Sequence, residues 1–484
     1  MRVAIVACVL AVTLVPGSPG LQTTATSAPA AAAGQRTTET RHYTQQDQQT
    51  KRYVYVPVNV PAGTTSLTVS YEYDRAGGAN TVDLGLYEPG PLTLGTPAFR
   101  GYSGGAQDTV TVAVDHASPG YWPGPLPPGE WHVLLGLYQV GPGGVDVTVT
   151  STTSSAPAAG PTPAVQPRNP GPIRRGAAWY AGAMHTHTTF SDGVLSPADL
   201  VDKARAEKLD FVVVTDHNNT AHQLVPLDRP GLLVISGEEV TTPGGHFNVW
   251  GLSGARAYVD FRIASGDPAL PAVMKSASDR GALISINHAV TDCVACSWTH
   301  AVPDSVNAWE VFNGTVDGRR QAVAMWDQLL RAGRRVTAVG ESDWHRGDAP
   351  IGSPTSRVWA PELSASAILA GVKSGRVIVM ANTALPTPDI VARAGGATAR
   401  VGDELTVAAG EGVSIDVTVD ADAYRGNRID LVWRGERVAH ADVPEDGTVR
   451  FVRYPTAPGY FRVQIAGPDG SLRAFANPIF VRVR

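Results

Sequence analysis

Between residues 177 and 383 the chain alternates short strand-like runs with segments of helical periodicity. This alternation predicts βα units on a parallel sheet, because parallel strands need a crossover connection that is usually a helix. Ser196 followed by Pro197 marks one helix start, since Ser is a good N-cap and Pro fits the first helical position. The predicted strands are 211–214, 232–235, 282–286, 308–312, 336–339 and 377–380. The other predicted helices are 268–279, 317–333 and 363–373.

Two β-rich flanks enclose this segment. From 41 to 150, and again from 385 to 484, short alternating apolar runs are separated by Gly- and Pro-containing turns. That pattern predicts an all-β sandwich domain on each side. Residues 151–176 are rich in Ser, Ala, Pro and Gly and predict a linker, and residues 21–40 predict a disordered stretch. The predicted fold class is multidomain, with a central βα domain between N-terminal and C-terminal all-β sandwiches.

The N-terminus has the pattern of a secretory signal peptide within residues 1–33. Arg2 precedes an apolar run from Val3 to Val15, and helix-breaking residues follow. Several small residues offer cleavage sites, and Cys8 leaves a lipoprotein as the less favoured alternative. No later segment has 18 consecutive apolar residues, so we expect a secreted protein without a membrane span. The formal net charge of −5 argues against a nucleic-acid partner, which would need a basic face.

Two cysteines remain after such a signal is removed. Cys293 and Cys296 form an isolated Cys-x-x-Cys pair. In an exported protein this pair predicts a local disulfide, because oxidising compartments favour disulfides and no second pair is present to complete a zinc site. Metal binding by the pair stays the alternative.

Histidines are concentrated in the central segment. Eight of the twelve lie there, and they are His185, His187, His217, His222, His246, His288, His300 and His345. One such histidine alone is most often an ordinary hydrogen-bonded residue. Here, however, successive predicted strand ends carry His, Asp or Glu, and Glu239 and His246 are expected beyond the end of strand 232–235. Mixed imidazole and carboxylate sets are the ligands that Zn²⁺, Mn²⁺ and Fe²⁺ require, so the pattern predicts a metal site.

These residues occur in motifs that resemble a known family. The motifs are His185-Thr186-His187 with Asp192-Gly193, Thr215-Asp216-His217, Gly237-Glu238-Glu239, Ile286-Asn287-His288 and Ser342-Asp343-Trp344-His345. In this order they resemble those of the PHP (polymerase and histidinol phosphatase) superfamily. Gly245–Gly251 and Trp309–Gly314 look like its CehA/McbA-type metallohydrolase branch. The resemblance covers roughly 177–383 and implies a distorted (β/α)7 barrel with two or three divalent metal ions at its mouth.

The resemblance also implies ligand sets. One metal would take His185, His187, Glu239 and Asp343; a second would take Glu239, His246 and His288; a third would take Asp192, His217 and His345. Glu238 competes with Glu239, and the family spacing Gly-x-Glu selects Glu239. Many relatives have the second-metal histidine where Asn248 stands, but His246 lies on the same face of an extended strand and is preferred. Asp216 is expected to orient an imidazole from behind.

The predicted activity is hydrolysis by a metal-activated water, with Asp192, Glu239 and Asp343 as the carboxylates of the centre. Asn313 and Arg346 are candidate substrate contacts, and Arg376 is a further candidate phosphate clamp. The leading function is an exported phosphoesterase acting on a small organic phosphate, with Mn²⁺, Zn²⁺ or Fe²⁺ as the cofactor. The alternatives are a carboxylic or carbamate ester hydrolase and a non-catalytic surface or glycan-binding protein. The flanking β domains would then stabilise the barrel, shape the rim of the pocket or contact an extracellular polymer.

Overall fold

The computed structural model describes residues 34–166, 168, 171–291, 293, 295–313 and 316–484. The predicted signal peptide at 1–33 lies outside the described residues. Among the described helices, none has both the length and the apolar character needed to cross a bilayer.

In the described residues, the N-terminal unit consists of two antiparallel four-stranded sheets around one apolar core. Their strand orders are β1-β8-β3-β6 and β2-β7-β4-β5, where the strands are β1 (Arg36–Tyr43), β2 (Tyr53–Val60), β3 (Ser66–Tyr73), β4 (Thr81–Tyr87), β5 (Phe99–Gly104), β6 (Thr109–Ala113), β7 (Gly129–Gln139) and β8 (Val145–Ser154). A short helix, α1 (Gln45–Thr50), follows β1. Buried side chains alternate along β3 and β8, as expected for sheets with one face in the core.

Strand β1 corrects one prediction. It begins at Arg36 and pairs along its whole length with β8, so the predicted disorder of 21–40 is wrong from residue 36 onward. Polar composition suggested disorder, but the threonines pair across the strands instead. Thr37 Oγ1 lies 2.7 Å from Ser151 Oγ, and Thr40 Oγ1 lies 2.9 Å from Thr148 Oγ1. Cross-strand Thr pairs stabilise a sheet, and Thr favours extended backbone.

The central unit consists of a mixed sheet and four helices that lie between its strands in the chain. Its strands are β9 (Arg174–Ala183), β10 (Phe211–Val214), β11 (Leu233–Thr242), β12 (Gly245–Trp250), β13 (Leu283–Ile286), β14 (Ala308–Phe312), β15 (Thr337–Gly340), β16 (Thr355–Leu363) and β17 (Val377–Met380). Its helices are α2 (Pro197–Ala206), α3 (Leu270–Asp279), α4 (Val316–Arg331) and α5 (Ala365–Lys373). The hydrogen-bonded order is β15-β14-β13-β12-β11-β10-β9-β16-β17. Helix α2 begins as predicted, with the Asp199 backbone N–H donating to Ser196 Oγ at 3.1 Å.

The sheet is mixed, whereas a parallel sheet was predicted, so the prediction is correct for only part of it. Strand β11 continues to Thr242 and turns directly into β12, so the two form an antiparallel hairpin. Strands β12–β13, β9–β16 and β16–β17 are also antiparallel, whereas β9–β10, β10–β11, β13–β14 and β14–β15 are parallel. The turn at Pro243-Gly244 replaces a crossover helix, and a hairpin needs only a few residues. The strand order of the described residues does not by itself show a closed seven-stranded barrel, which stays a prediction.

The C-terminal unit shares its larger sheet with the central unit. Its strands are β18 (Asp389–Ala394), β19 (Ala397–Arg400), β20 (Glu404–Val407), β21 (Val413–Thr418), β22 (Arg428–Trp433), β23 (Glu436–Asp442), β24 (Thr448–Arg453), β25 (Gly459–Ala466), β26 (Leu472–Ala476) and β27 (Ile479–Val483). Strands β19-β18-β21-β24 form a separate sheet, and one apolar core lies between the two layers. Strand β26 pairs with β17, so the layer opposite continues the central sheet and is not an independent sandwich half.

Candidate metal centre

The pair His185 and His187 follows strand β9 directly on extended backbone. Two hydrogen bonds hold Thr186, which lies between the two histidines. Its backbone N–H donates to Thr215 Oγ1 at 3.0 Å, and its hydroxyl donates to the Val213 carbonyl at 2.8 Å. Alternate residues of extended backbone point to the same face, so both imidazoles lie on one side with ring centroids 5.1 Å apart. Both side chains are fully buried.

Glu238 and Glu239 are neighbours within β11 and lie on opposite faces of the strand. Glu239 lies among the histidines, while Glu238 Oε2 accepts a hydrogen bond of 2.7 Å from the Val259 backbone N–H. Glu239 lies inside the strand, not beyond its end as expected, because β11 extends past residue 235. The structure thus brings to the cluster the carboxylate that the motif spacing selects.

The first group of possible ligands contains His185, His187, Glu239 and Asp343. Asp343 Oδ1 lies 3.1 Å from His185 Nε2 and 3.0 Å from His187 Nε2. Glu239 Oε1 lies 3.2 Å from His185 Nε2, and Glu239 Oε2 lies 3.3 Å from His187 Nε2. The membership of this group is that of the first implied ligand set.

The second group contains Glu239, His246 and His288. Glu239 Oε1 lies 3.3 Å from His246 Nδ1 and 3.1 Å from His288 Nε2. His246 reaches the cluster from β12, within the hairpin that the sequence did not predict. Asn248, the alternative position, instead donates through Nδ2 to the Met184 carbonyl at 3.3 Å.

The third group joins Asp192, His217 and His345, and it also includes His187. Asp192 Oδ1 lies 3.2 Å from His345 Nε2 and 3.5 Å from His217 Nε2. His187 therefore belongs to two groups, which the sequence did not predict. This group is the most open to solvent of the three, at Asp192, His217 and His345, whereas the first group is partly exposed only at Asp343.

Buried polar atoms without partners test whether cations fit this centre. Within the described residues, seven buried atoms of the cluster lack a hydrogen bond. They are His185 Nε2, His187 Nε2, Glu239 Oε2, His246 Nδ1 and Nε2, His288 Nδ1 and Asp343 Oδ1. A buried polar atom normally has a partner, because burying it unpaired costs about 1–3 kcal/mol. Imidazole and carboxylate donors concentrated in this way fit divalent transition-metal ions.

The opposite edges of the imidazoles are held in place. Glu310 Oε1 lies 2.7 Å from His185 Nδ1, Thr241 Oγ1 lies 2.5 Å from His217 Nδ1, and the Asp343 carbonyl accepts from His345 Nδ1 at 2.8 Å. The contacts of His185 and His345 engage Nδ1 and leave Nε2 for the cluster, whereas His217 Nδ1 also lies 2.9 Å from Glu239 Oε2. Such contacts fix the ring orientation and the tautomer of a metal ligand.

The charges within the cluster depend on one another. Burial opposes ionisation of Glu239, but His185, His217 and His246 outweigh it and hold its pKa well below the usual range. Burial likewise opposes ionisation of Asp343, and His185 and His187 lower its pKa well below the usual range. The site therefore holds two ionised carboxylates at neutral pH, as metal ligands must be.

Glu310 contacts the cluster, and the sequence did not single it out as a site residue. Besides His185, it binds the His288 backbone N–H, which donates to Oε2 at 2.7 Å, and Asn313, whose Nδ2 donates to the same oxygen at 3.1 Å. It thus connects two possible ligands and one candidate substrate contact. The available signal was a glutamate inside the otherwise apolar and fully buried strand β14.

Asp216 does not orient a possible metal ligand directly, contrary to the expectation. Its Oδ1 accepts from the Thr188 backbone N–H at 2.7 Å and from Ser191 Oγ at 2.9 Å. The nearest imidazole is that of His222, 3.7 Å from Oδ2, and His222 belongs to none of the three groups. Asp216 therefore anchors the loop between His187 and Asp192 through Thr188 and Ser191.

A cavity of about 320 Å³ opens onto all three groups. Asn313 lines it, whereas Arg346 is exposed and is not among the lining residues. Arg376 lies 3.3 Å from Asp403 and is not a lining residue either. Cys293 and Cys296 form a disulfide, as predicted, and both line the cavity.

The opposite wall of the cavity comes from the N-terminal unit. Thr81 and Asp83 of β4, Tyr102 and Ser103 of β5 and Tyr138 of β7 line it. Among the roles left open for the flanking β domains, shaping the pocket is the one that this contact supports. The sequence did not single out any of these residues.

Comparisons with known proteins support a hydrolase. No protein-family model matches the chain. Over 96 residues it is 31% identical to a 3′,5′-nucleoside bisphosphate phosphatase of Chromobacterium violaceum, covering 19% of this chain and 31% of that protein. Over 62 residues it is 36% identical to a 5′-3′ exoribonuclease of Haemophilus influenzae, covering 12% of this chain and 23% of that protein. The chain thus spans less than a third of the length of either curated relative.

Two solved structures are similar at low scores. A two-domain protein from Bacteroides vulgatus containing a predicted PHP-like metal-dependent phosphoesterase matches with a TM-score of 0.36 and 19% identity, covering 65% of this chain and 100% of that one. An amidohydrolase from Chromobacterium violaceum matches with a TM-score of 0.26 and 15% identity, covering 35% of this chain and 89% of that one. Scores this low do not establish the fold. The sequence similarity and the three ligand groups together support a metal-dependent hydrolase.

Proposed function

We propose that the protein is an exported, metal-dependent phosphoesterase that hydrolyses a small organic phosphate. The observation that carries the proposal is the position of Glu239, which belongs to two of the three ligand groups and has a buried oxygen without a hydrogen bond. A carboxylate in that position suits a bridge between two cations. The cavity of about 320 Å³ beside it has the size of a small-molecule site.

The first and second groups would each hold one ion, with Glu239 between them, and the third group would hold another. Two or three ions of Mn²⁺, Zn²⁺ or Fe²⁺ are proposed. Divalent ions supply Lewis acidity toward a phosphoryl oxygen and make a water nucleophilic near neutral pH. The role of Glu310 is to keep His185 and the backbone at His288 in position through its two oxygens.

The charge of the centre favours an anionic substrate. Asp192, Glu239 and Asp343 contribute three negative charges, which two or three divalent ions exceed. Asn313 lines the cavity and uses one of its two amide hydrogens on Glu310, so its second hydrogen is available to a phosphoryl oxygen. Arg346 stays a candidate for a more distant substrate contact, because its side chain is exposed beside His345.

The CehA/McbA-type branch is proposed from the motif resemblance alone. A nucleic-acid substrate is not proposed, because within the described part of the cavity wall no lysine or arginine is present to bind a phosphate backbone. Export is proposed from the signal-like residues 1–33, and the Cys293–Cys296 disulfide suits an oxidising compartment. We propose that the N-terminal β unit shapes the pocket. Its outer surface, away from the cavity, would be the part that contacts an extracellular polymer.

A substrate panel tests the proposal. The purified protein is loaded with Mn²⁺, Zn²⁺ or Fe²⁺ and assayed against phosphomonoesters, phosphodiesters, carboxylic esters and carbamates. We expect metal-dependent phosphate release that His288→Asn abolishes. His440→Asn, at an exposed position of β23, is the matched control and should behave as the wild type. Hydrolysis of carboxylic or carbamate esters alone would contradict the proposal, and no hydrolysis at all would favour a non-catalytic surface protein.

A further inference from the structure

The wall opposite the metal centre belongs to a different part of the chain from the ligands. Asp83 and Tyr102 lie on neighbouring strands of the N-terminal unit, β4 and β5, and line the same cavity as Glu239 and Asp343. A phosphate held at the metal centre therefore directs the alcohol part of its ester either to this wall or to the opening. The chemistry of the wall thus bears on which alcohols are accepted.

Aromatic contacts fix the wall to the central unit. The rings of Phe99 and Tyr258 stack with centroids 4.2 Å apart, and Tyr102 and Phe261 lie 4.7 Å apart. At Gly120 a Cβ would lie only 2.6 Å from the Phe190 carbonyl oxygen, and its φ of +83° already disfavours other residues. These contacts hold the wall against the central unit, so the wall is a fixed part of the cavity.

Asp83 is held by one strong hydrogen bond and has further acceptor capacity. The Tyr102 hydroxyl donates to Asp83 Oδ2 at 2.7 Å. A carboxylate has about four lone-pair sites, so a second donor can be accepted from the cavity. Tyr102 in turn lies against Phe261, which sets the direction of its hydroxyl.

The charges of the cavity set a preference for the alcohol. The described lining residues include four carboxylates, those of Asp83, Asp192, Glu239 and Asp343, and no lysine or arginine. Three of the four belong to the ligand groups, whereas Asp83 belongs to none. A second phosphate near Asp83 would meet a like charge, and the described lining residues offer it no lysine or arginine, so such a contact is unfavourable. A hydroxyl or an ammonium there would instead donate a charge-assisted hydrogen bond.

We propose that Asp83, positioned by Tyr102, selects monophosphate esters whose alcohol part carries a hydrogen-bond donor and no second anionic group. This inference rests on the proposed phosphoesterase function and names the substrate class of the same site. Asp83 acts as a specificity-determining contact, and Tyr102 is its positioning residue. The class differs from the bisphosphate named for the Chromobacterium violaceum relative.

The test compares four substrates on the metal-loaded full chain. Glycerol phosphate presents hydroxyls, ethanolamine phosphate an ammonium, glycerol 1,3-bisphosphate a second phosphate, and phenyl phosphate no polar group. In the wild type, kcat/KM for at least one donor-bearing ester should exceed that for the bisphosphate by about 100-fold. The relative rates of the first two substrates tell a hydroxyl preference from an ammonium preference.

The measured quantity is the ratio of kcat/KM for the better donor-bearing ester to kcat/KM for the bisphosphate. Asp83→Asn should lower this ratio at least tenfold, because it removes the charge that repels the second phosphate and weakens the hydrogen bond from the donor-bearing alcohol. Tyr102→Phe should lower the same ratio by about threefold, mainly through KM. It is the test of the inference if Asp83→Asn does not fold. Asp146→Asn, an exposed change in the same unit, should leave the ratio unchanged. Metal content should match the wild type in all three variants.

Two failures can be distinguished. If the wild type releases phosphate from phenyl phosphate but the ratio is the same in Asp83→Asn and Tyr102→Phe, the inference on Asp83 is overturned and the phosphoesterase function stands. If the wild type prefers the bisphosphate, the inference is overturned as well. If it hydrolyses no phosphate with any of the three metals, the proposed function and the inference fall together.

Discussion

The described residues include several buried charged groups, and those around Arg262 and around Glu239 are completed in different ways. Around Arg262, every guanidinium donor has a partner: Nε and Nη2 bind Asp260 at 2.9 and 2.6 Å, and Nη1 binds Tyr55 at 2.6 Å. The carbonyls of Leu92 and Thr93 accept the rest at 2.8 and 3.0 Å. Around Glu239, by contrast, seven buried polar atoms of the described residues lack a hydrogen bond.

The difference separates a structural centre from a binding centre. Arg262 and Asp260 are buried, but the protein itself satisfies them, and they join the central unit to the N-terminal unit. The ligand cluster around Glu239 leaves those seven atoms without a hydrogen bond among the described residues, and imidazole and carboxylate atoms brought together in this way fit divalent cations. Burial of charge alone therefore does not identify a functional site in this chain; the concentration of unpaired imidazole and carboxylate atoms around Glu239 does.

The largest expected effect concerns the two adjacent glutamates. Glu239→Gln should lower turnover about 10³-fold or more and reduce the metal content, because a neutral amide is a poor ligand for two ions. Glu238→Gln is the matched control. Burial raises the pKa of Glu238 well above its usual range, which favours the neutral carboxyl, and Gln can accept the same bond from Val259. Steady-state kinetics and elemental analysis of both variants measure the effect. If Glu239→Gln keeps its activity and metal while Glu238→Gln loses them, the assignment of Glu239 as the ligand is wrong by one residue.

Breaking the structural centre should affect stability and not metal binding. Arg262→Met leaves Asp260 buried without its partner and should lower the free energy of unfolding by about 3–5 kcal/mol. Denaturation in guanidinium chloride measures the change, and metal content is determined on the folded protein. Lys275→Met breaks an exposed pair with Asp279 and should change the stability little. Loss of metal from folded Arg262→Met would contradict the separation of the two centres.

Asp83 provides a smaller effect with a defined pH dependence. Burial raises its pKa from 3.8 to about 6, despite the opposing effects of Tyr102, Arg52 and His217. The folded state then binds more protons than the unfolded state between these values, so this group makes the wild type less stable as the pH rises from about 4 to above 6. Asp83→Asn should therefore stabilise the fold above pH 6 and have no advantage below pH 4. Denaturation curves at pH 4, 6 and 8 check this, and an equal effect at all three would contradict it.

The smallest expected effect concerns the disulfide. Cys293→Ser with Cys296→Ser opens a loop of a few residues, whose entropy change is worth about 2 kcal/mol or less. Metal content should stay at the wild-type level, because the two sulfurs belong to none of the ligand groups. Thiol titration of the denatured, unreduced wild type should find neither cysteine reactive. Loss of zinc when the cysteines are alkylated would instead show that the pair binds a metal.

The spacing of His, Asp and Glu predicted a metal site, and the motif resemblance implied which residues would form it. His185 and His187 are two apart on extended backbone, and Asp343 and His345 follow another strand end at the same spacing. Such positions depend on a few neighbouring residues and on the parallel pairing of β9 with β10. The hairpin of β11 and β12 was missed, yet it places His246 beside Glu239 because residues two apart keep the same face.

Features that depend on distant contacts could not be predicted. Glu310 meets His185 across 125 residues of sequence, and Tyr53 meets Phe261 across 208. The same holds for the pairing of β17 with β26, which merges two predicted domains into one sheet. Asp83 gave no signal either, because one acidic residue on a β-strand of a flanking domain looks like ordinary surface until the fold places it in the cavity.

The central claim is that the cluster around Glu239 is a centre for several metal ions, and counting the ions tests it most directly. The purified full chain is incubated separately with Mn²⁺, Zn²⁺ and Fe²⁺, dialysed, and measured by elemental analysis against its protein concentration. The three groups predict at least two divalent ions per chain for one of these metals, and fewer in Glu239→Gln. Less than one ion per chain with all three metals would contradict the account.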